Sequence, residues 1–272
     1  MFDRLDLRVN VQKLLFSKIH PEINDITIIR HNRLDSTNEE AKRLIAEKKL
    51  KDKTVIITSE QLAGKGQYGS CWISETRQNL LMSIVLCPDF ITIEKQFYLN
   101  IALALACANA LNEYSANTVL IKWPNDLILK NRKVGGILIE QIITGQKINY
   151  CIAGIGLNIN QQSFPNSLPL AASLSSLENK TFPLNEILHN VLSHILAVYE
   201  KLKENAFGEL KQDYLRHLIG FEKMRVYKWQ GKLVHGKIVG VTNEGKLQMK
   251  IDQDFHVFGL KEIEWLPESE NL

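Results

Sequence analysis

Three segments of the chain concentrate residues whose types and spacing could do chemistry. They are residues 61–72 (QLAGKGQYGSCW), residues 122–126 (KWPND) and residues 154–158 (GIGLN). Glycines leave backbone N–H groups free to surround a phosphate, and lysine, amide and carboxylate side chains can orient and neutralise an anion. Each segment alone leaves a structural alternative open.

The first segment spaces Gly64, Gly66 and Gly69 as G-x-G-x-x-G. This spacing can hold a phosphate, but the dinucleotide fingerprint requires a helix directly after the loop. Here a strand pattern follows, which disfavours a Rossmann site. An ordinary surface turn is the alternative.

The second segment places a cation, an aromatic ring, a rigid turn, an amide and a carboxylate at the end of an apolar strand. Ligand sites of α/β proteins assemble at such strand ends. The alternative is a simple Pro-Asn-Asp turn with Trp123 in the core.

Hydrophobic periodicity predicts the elements that position these segments. We expect strands at residues 26–30, 54–59, 80–86, 119–123, 127–129, 134–143 and 148–158, and helices at 5–19, 37–49, 94–114, 184–203 and 207–218. Ser36 with Glu39, or Thr37 with Glu40, could form a capping box. Residues 131–133 read as the link of a hairpin, so the sheet should be mixed.

After residue 220 the pattern changes to short strands separated by turn residues, at 223–229, 232–242, 246–251, 255–260 and 262–266. This predicts a small β-barrel. We therefore expect an N-terminal extension (1–25), a main domain (26–220) and a C-terminal domain (221–272).

Bulk composition excludes several classes of protein. The 33 Lys and Arg against 30 Asp and Glu give a formal charge of only +3, too weak to indicate a nucleic-acid surface. The four cysteines form no C-x-x-C pair, and the N-terminus lacks a secretory signal pattern. The most apolar run, residues 101–111, is too short to span a membrane. A cytoplasmic protein without a membrane anchor is expected.

Read together, the motifs resemble the biotin-protein ligase family over residues 28–265. They occur in the family's order: residues 35–38 (DSTN), 61–72, 122–126, 132–138 (RKVGGIL) and 154–158. The resemblance implies an α+β fold, with a mixed-sheet catalytic domain of the biotin/lipoate ligase type and a C-terminal SH3-like barrel. It also implies that ATP and Mg²⁺ convert biotin to biotinyl-5′-AMP, and that biotin then passes to a lysine of a biotin carboxyl carrier domain.

The resemblance further implies roles for individual residues. Lys133 and Lys122 would supply the cations at the reacting groups, and Asp126 would hold Mg²⁺ directly or through its neighbours. The biotin-binding residues would be Ser36, Thr37, Asn38, Gln61, Lys65, Gly66, Gln67, Lys133, Gly136 and Gly154. The nucleotide-binding residues would be Gly64, Trp72, Asn125, Asp126 and Asn158.

Structural alternatives accompany these roles. Ser36 and Thr37 could cap a helix, Lys133 could be a solvated hairpin lysine, and Trp72 could belong to the core.

Two departures from the family pattern stand out. The family loop usually carries three arginines, and Lys65, Gln67 and Ser70 occupy their positions here. About 25 residues precede the first strand, whereas a winged helix needs roughly 60, so no DNA partner is expected. A lipoate or octanoate ligase and a non-catalytic binder of biotin or of carrier domains are the rival readings, and the sequence leaves the acceptor and homodimerisation open.

Overall fold

A seven-stranded mixed sheet forms the centre of the molecule, in a computed structural model that describes residues 25–252 and 254–267. The strands are β1 (Thr27–His31), β2 (Thr54–Thr58), β3 (Leu80–Leu86), β4 (Leu120–Lys122), β5 (Asp126–Leu129), β6 (Arg132–Thr144) and β7 (Lys147–Leu157). Their order is β1-β2-β3-β7-β6-β5-β4. Strands β1 and β2 are parallel and the other neighbours antiparallel, which confirms the predicted mixed sheet.

Helices cover both faces of this sheet. They are α1 (Thr37–Ala46), α2 (Phe97–Asn112), α3 (Leu174–Glu178), α4 (Leu184–Lys203) and α5 (Phe207–His217). Ile56, Val85 and Ile152 on one face pack with Ala41 of α1. The alternate residues of these strands point to the other face of the sheet and pack against α2 and α4. Helix α2 is apolar and buried on nearly all sides. This alternation fixes which strand residues face α1.

Several local predictions were wrong in detail. Ser36 occupies the N-cap position, but its side chain makes no capping hydrogen bond. The first amide of the helix, that of Thr37, donates to Gln61 Oε1 (2.9 Å). Helix α1 ends at Ala46, before the left-handed Lys48, and helix α2 begins only at Phe97. The short helix α3 was not predicted, and the predicted helix at residues 5–19 lies outside the described residues.

The link between β5 and β6 also differs from the prediction. Lys130 and Asn131 form the turn, both with positive φ, and strand β6 begins at Arg132. Lys133 therefore lies within β6, opposite Ile128, and is not a turn residue.

The C-terminal strands form a second, antiparallel sheet. They are β8 (Arg225–Trp229), β9 (Lys232–Val241), β10 (Leu247–Ile251), β11 (Asp254–Phe258) and β12 (Glu264–Trp265), in the order β11-β10-β9-β8-β12. The predicted strands are confirmed, but the pairings among the described residues form an open sheet and do not close a barrel. The predicted domain boundaries stay predictions.

The turn between β9 and β10 connects the two sheets. Trp123 Nε1 donates a hydrogen bond to the carbonyl oxygen of Gly245 (3.0 Å). Gly245 has a φ of +87°, and a side chain there would collide with the ring of Phe97 at the start of α2. The C-terminal sheet is thus anchored to the strand-end segment 122–126.

Among residues 25–252 and 254–267, no helix combines the length and the apolar character needed to cross a membrane.

Candidate functional site

A cavity of about 560 Å³ opens on the α1 side of the central sheet. Its walls come from the N-terminus of α1, the glycine loop 64–71, the segment 122–126 and the inner face of the C-terminal sheet. The volume lies within the usual range for a small-molecule site.

The floor of the cavity consists of sheet positions that carry no side chain. Gly136 pairs with Gly156 across β6 and β7, and Gly154 lies two residues from Gly156 on the same face. A Cβ atom on Gly154 would lie 2.5 Å from Asn38 Oδ1, and one on Gly156 would lie 2.5 Å from the ring of Trp72. Glycine is therefore required for these side chains to lie flat on the sheet.

One end of the cavity carries a buried hydrogen-bond network. Ser83 Oγ lies 2.7 Å from Thr37 Oγ1 and 2.6 Å from Asn38 Oδ1. Gln61 Oε1 accepts from the Thr37 amide, as described above, and lies 3.3 Å from the Thr37 hydroxyl. These groups sit among apolar walls, where a ligand with matching donors and acceptors would be bound selectively.

A chain of charges extends this network to the glycine loop. Asn38 Nδ2 donates to Glu140 Oε2 (2.7 Å), and Lys42 joins Glu140 Oε1 (2.7 Å) to Glu39 Oε1 (2.9 Å). Lys65 of the loop also binds Glu39 Oε1 (2.6 Å). Hydrogen bonds from Lys65 first and Lys42 second hold the pKa of Glu39 below its usual value, so Glu39 stays anionic.

The other end of the cavity is charged. Asp126 Oδ1 lies 2.6 Å from Lys133 Nζ, and Asp126 Oδ2 lies 3.1 Å from Lys122 Nζ. Burial raises the pKa of Asp126, but the nearby charges of Lys133 and Lys122 outweigh it and leave that pKa lowered. One carboxylate thus holds two ammonium groups at the cavity wall.

Neighbouring elements fix the backbone of the segment 122–126. The carbonyl oxygen of Pro124 accepts from Asn100 Nδ2 of α2 (2.9 Å) and from the Tyr214 hydroxyl of α5 (2.7 Å). The buried Asn125 side chain donates to the Ile137 carbonyl. The position of Asp126 therefore depends on α2, α5 and β6.

Trp72 lies between the two ends. Its ring rests on Gly156, and Lys133 Nζ lies 5.8 Å from the ring centroid. The indole Nε1 is buried without a hydrogen-bond partner in the described structure. A buried indole N–H without a partner is uncommon and marks a place where a ligand oxygen would be favourable.

The structure brings all but two of the predicted site residues to this one cavity. Gly64 and Asn158 do not line it. Gly64 supports the loop by accepting from the Trp72 amide (2.9 Å), and the Asn158 side chain donates to the Ala172 carbonyl (3.1 Å) beneath β6. Their contacts with a nucleotide stay predictions.

Sequence reasoning missed several residues in or directly behind the cavity wall. Ser83, which is buried behind Thr37 and Asn38, was overlooked, although a serine that interrupts the apolar strand LLMSIVL is a recognisable signal. Tyr227, Lys261 and Trp265 line the cavity from the C-terminal sheet, and nothing in the local sequence indicates that this sheet folds over the site. No cluster of three or more metal-binding side chains occurs in the described ranges.

Comparison with known proteins gives a consistent result. Residues 31–158 match the Biotin/lipoate A/B protein ligase family. The chain is 29% identical over 240 residues to the bifunctional ligase/repressor BirA of Bacillus subtilis, covering 87% of this chain and 71% of that protein. It is 27% identical to the biotin–[acetyl-CoA-carboxylase] ligase of Mycobacterium tuberculosis, covering 74% of each.

Among solved structures, the biotin protein ligase from Aquifex aeolicus in complex with biotin and ATP is similar, with a TM-score of 0.72 and 27% identity. The similarity covers 87% of this chain and 97% of that one.

The turn that leads into α1 gives a pH prediction. Arg43 Nη1 and Nη2 donate to both oxygens of Asp35 (2.9 and 2.8 Å), and the hydrogen bond with Arg43 is the main cause that lowers the pKa of Asp35 to about 2. Because the folded-state pKa is depressed, this stabilisation is present above pH ~4 and is lost as the pH falls towards 2. The pair is about half exposed, so we expect Asp35→Asn to cost only ~0.5–1 kcal/mol at pH 7.

Urea unfolding of both proteins at a series of pH values measures this cost, which should shrink steadily below pH 4. A double-mutant cycle with Arg43→Gln serves as the control. A cost that stays the same from pH 7 to pH 3 would contradict the assignment.

Proposed function

We propose that the chain is a biotin–protein ligase, because residues 31–158 match the Biotin/lipoate A/B protein ligase family. It activates biotin with ATP to biotinyl-5′-AMP and transfers biotin to a lysine of an acceptor protein. The acceptor is the carrier domain of a biotin-dependent carboxylase, as the name of the Mycobacterium tuberculosis relative suggests.

The observation that carries the proposal is that one cavity has a hydrogen-bonding polar end and a charged end. The polar end around Asn38 lies over Gly154, and the charged end around Lys133 lies beside Gly136. Gly136 pairs with Gly156, which is two residues, or about 7 Å, from Gly154 along β7. Biotin has a compact ureido ring at one end and a carboxylate at the other. The network of Thr37, Asn38, Gln61 and Ser83, with Ser36 beside it at the cavity wall, matches the ring, whereas lipoate and octanoate would require an apolar tunnel.

The first chemical step requires two anions to meet. The biotin carboxylate attacks the α-phosphorus of ATP, the bond from that phosphorus to the bridging oxygen breaks, and pyrophosphate leaves with the electron pair. Lys133 and Lys122 reduce the repulsion between the anions and bind the charge that builds on the phosphate. Asp126 holds both ammonium groups in place beforehand, so little reorganisation is needed when the substrates bind.

Magnesium fits the site as an ion that arrives with the nucleotide. Mg²⁺ commonly uses one or two carboxylates together with substrate phosphates, and Asp126 is the carboxylate available beside the lysines. When bound, the ion would draw charge from the phosphate oxygens. Asn125 contributes by fixing the backbone next to Asp126.

The second step transfers the acyl group to the acceptor. The lysine amine attacks the carbonyl carbon of biotinyl-5′-AMP, AMP leaves, and the amine loses its proton. The mixed anhydride hydrolyses easily, so the glycine loop must exclude water until the acceptor arrives. Lys65 and Gln67 of this loop line the cavity beside the predicted biotin site.

Biotin-dependent exchange of labelled pyrophosphate into ATP tests the proposed function. We expect exchange with biotin and none with lipoate or octanoate, because only biotin can satisfy the hydrogen-bond network. Exchange that depends on lipoate or octanoate would replace the proposal with the rival ligase activity. No exchange with any of the three acids would indicate a non-catalytic binding protein.

Replacement of Lys133 should separate chemistry from folding. We expect Lys133→Gln to slow the exchange by about 10²–10³-fold, because it removes a cation aimed at the developing charge. The matched control is Lys130→Gln, three residues earlier, where the lysine pairs with Glu178 on the surface (3.3 Å) and should be dispensable. Equal rates for the two variants would exclude the role proposed for Lys133.

The composition of the glycine loop predicts that the intermediate biotinyl-5′-AMP is retained weakly by the enzyme. Gln67 and Ser70 stand where the family usually has arginines, and neither can form the bidentate, charge-assisted bonds of a guanidinium. We expect free biotinyl-5′-AMP to leave this enzyme faster than it leaves an arginine-rich relative. Rapid-quench assays without acceptor measure the release, and Gln67→Arg should slow it. Release as slow as in that relative would refute the prediction.

A further inference from the structure

Four lysines line the cavity, and they differ in whether an acidic side chain contacts their ammonium group. Lys65 is neutralised by Glu39, and Lys122 and Lys133 share Asp126. Lys261 also lines the cavity, yet within the described part of the chain no carboxylate lies within 4 Å of its ammonium group. Among these four lysines, Lys261 is thus the one that contacts no acidic side chain of the described residues.

The contact that Lys261 does make preserves its charge. Its Nζ lies 4.5 Å from the ring centroid of Tyr68, in the glycine loop. An aromatic face attracts a cation but carries no net charge, so the ammonium can still bind an anion. This contact also holds Lys261, which follows β11 in the C-terminal sheet, against the loop that closes the site.

The proposed reaction requires such a cation. ATP brings three phosphates, and the negative charge of the departing pyrophosphate increases as the bond to the α-phosphorus breaks. Within the loop, positions 67 and 70 carry glutamine and serine, so Lys65 is its single basic residue. Lys65 is already paired with Glu39, and Lys122 and Lys133 are assigned to the reacting carboxylate and α-phosphate, so a further cation is needed for the outer phosphates.

Building on the proposed function, we propose that Lys261 binds the β- and γ-phosphates of ATP and then the pyrophosphate that leaves. The C-terminal sheet thereby completes the nucleotide site and replaces cations that the loop lacks. The role ends with the first half-reaction, since biotinyl-5′-AMP has neither of these phosphates.

The half-reactions provide the test. We expect Lys261→Gln to raise the KM for ATP and the inhibition constant of pyrophosphate about 10-fold, the loss of one charge-assisted hydrogen bond. The KM for biotin and the rate of transfer from supplied biotinyl-5′-AMP to the acceptor should stay unchanged. Lys261→Arg should restore ATP binding to within about 3-fold, because the charge is retained.

Two further variants make the result specific. Lys250→Gln removes an exposed lysine of β10 that does not line the cavity, and it should behave as the unmodified protein. Tyr68→Leu removes the ring that Lys261 contacts. If Tyr68→Leu reproduces the ATP defect, or Lys261→Gln slows the transfer step, Lys261 only holds the loop and the phosphate site is wrong.

Calorimetric titration with pyrophosphate alone keeps the test independent of activity. Binding that weakens about 10-fold in Lys261→Gln supports the subsite, and equal binding by both proteins overturns it. Failure of the biotin-dependent exchange in the unmodified protein would instead count against the proposed function, so the two failures are distinguishable.

Discussion

The site depends on a strip of sheet without side chains, formed by Gly136, Gly154 and Gly156. Other residues of β6 and β7 on the same face of the sheet, such as Ile152, pack beneath α1. The glycine strip therefore starts next to the first residues of that helix. Helix α1 starts at Thr37, and Asn38 lies directly over Gly154. The apolar packing that holds α1 on the sheet therefore also sets the position of the polar end of the cavity.

Acidic side chains hold the lysines around this strip in place. Glu39 and Glu140 pair with Lys65 and Lys42 on the helix side, and Asp126 contacts both Lys122 and Lys133 on the strand-end side, which leaves a net positive charge there. Such pairing lowers the cost of holding ammonium groups in a partly buried site before a ligand arrives. An incoming anion then enters a site whose cations are already oriented.

The sequence predicted the central sheet well because its strands are continuous apolar runs. It also predicted that distant motifs converge, since the resemblance supplied their order. The sequence could not predict side-chain contacts between elements that are distant along the chain. Ser83 of β3 lies 45 residues from Asn38 of α1, and only the packing of α1 on the sheet brings them together. Helix α3 was missed because a single five-residue turn has too few periodic positions to detect.

Gly245 packs closely against Trp123 and Phe97, and this packing limits which C-terminal sheets could replace the one in this protein. A C-terminal sheet transplanted from a relative would fit only if its corresponding turn also has a glycine with positive φ. The carbonyl oxygen of that glycine would also have to be available as a hydrogen-bond acceptor. Otherwise the graft would push on the segment that carries Asp126. The two sheets are therefore expected to have diverged together, with compensating changes on both sides of that turn.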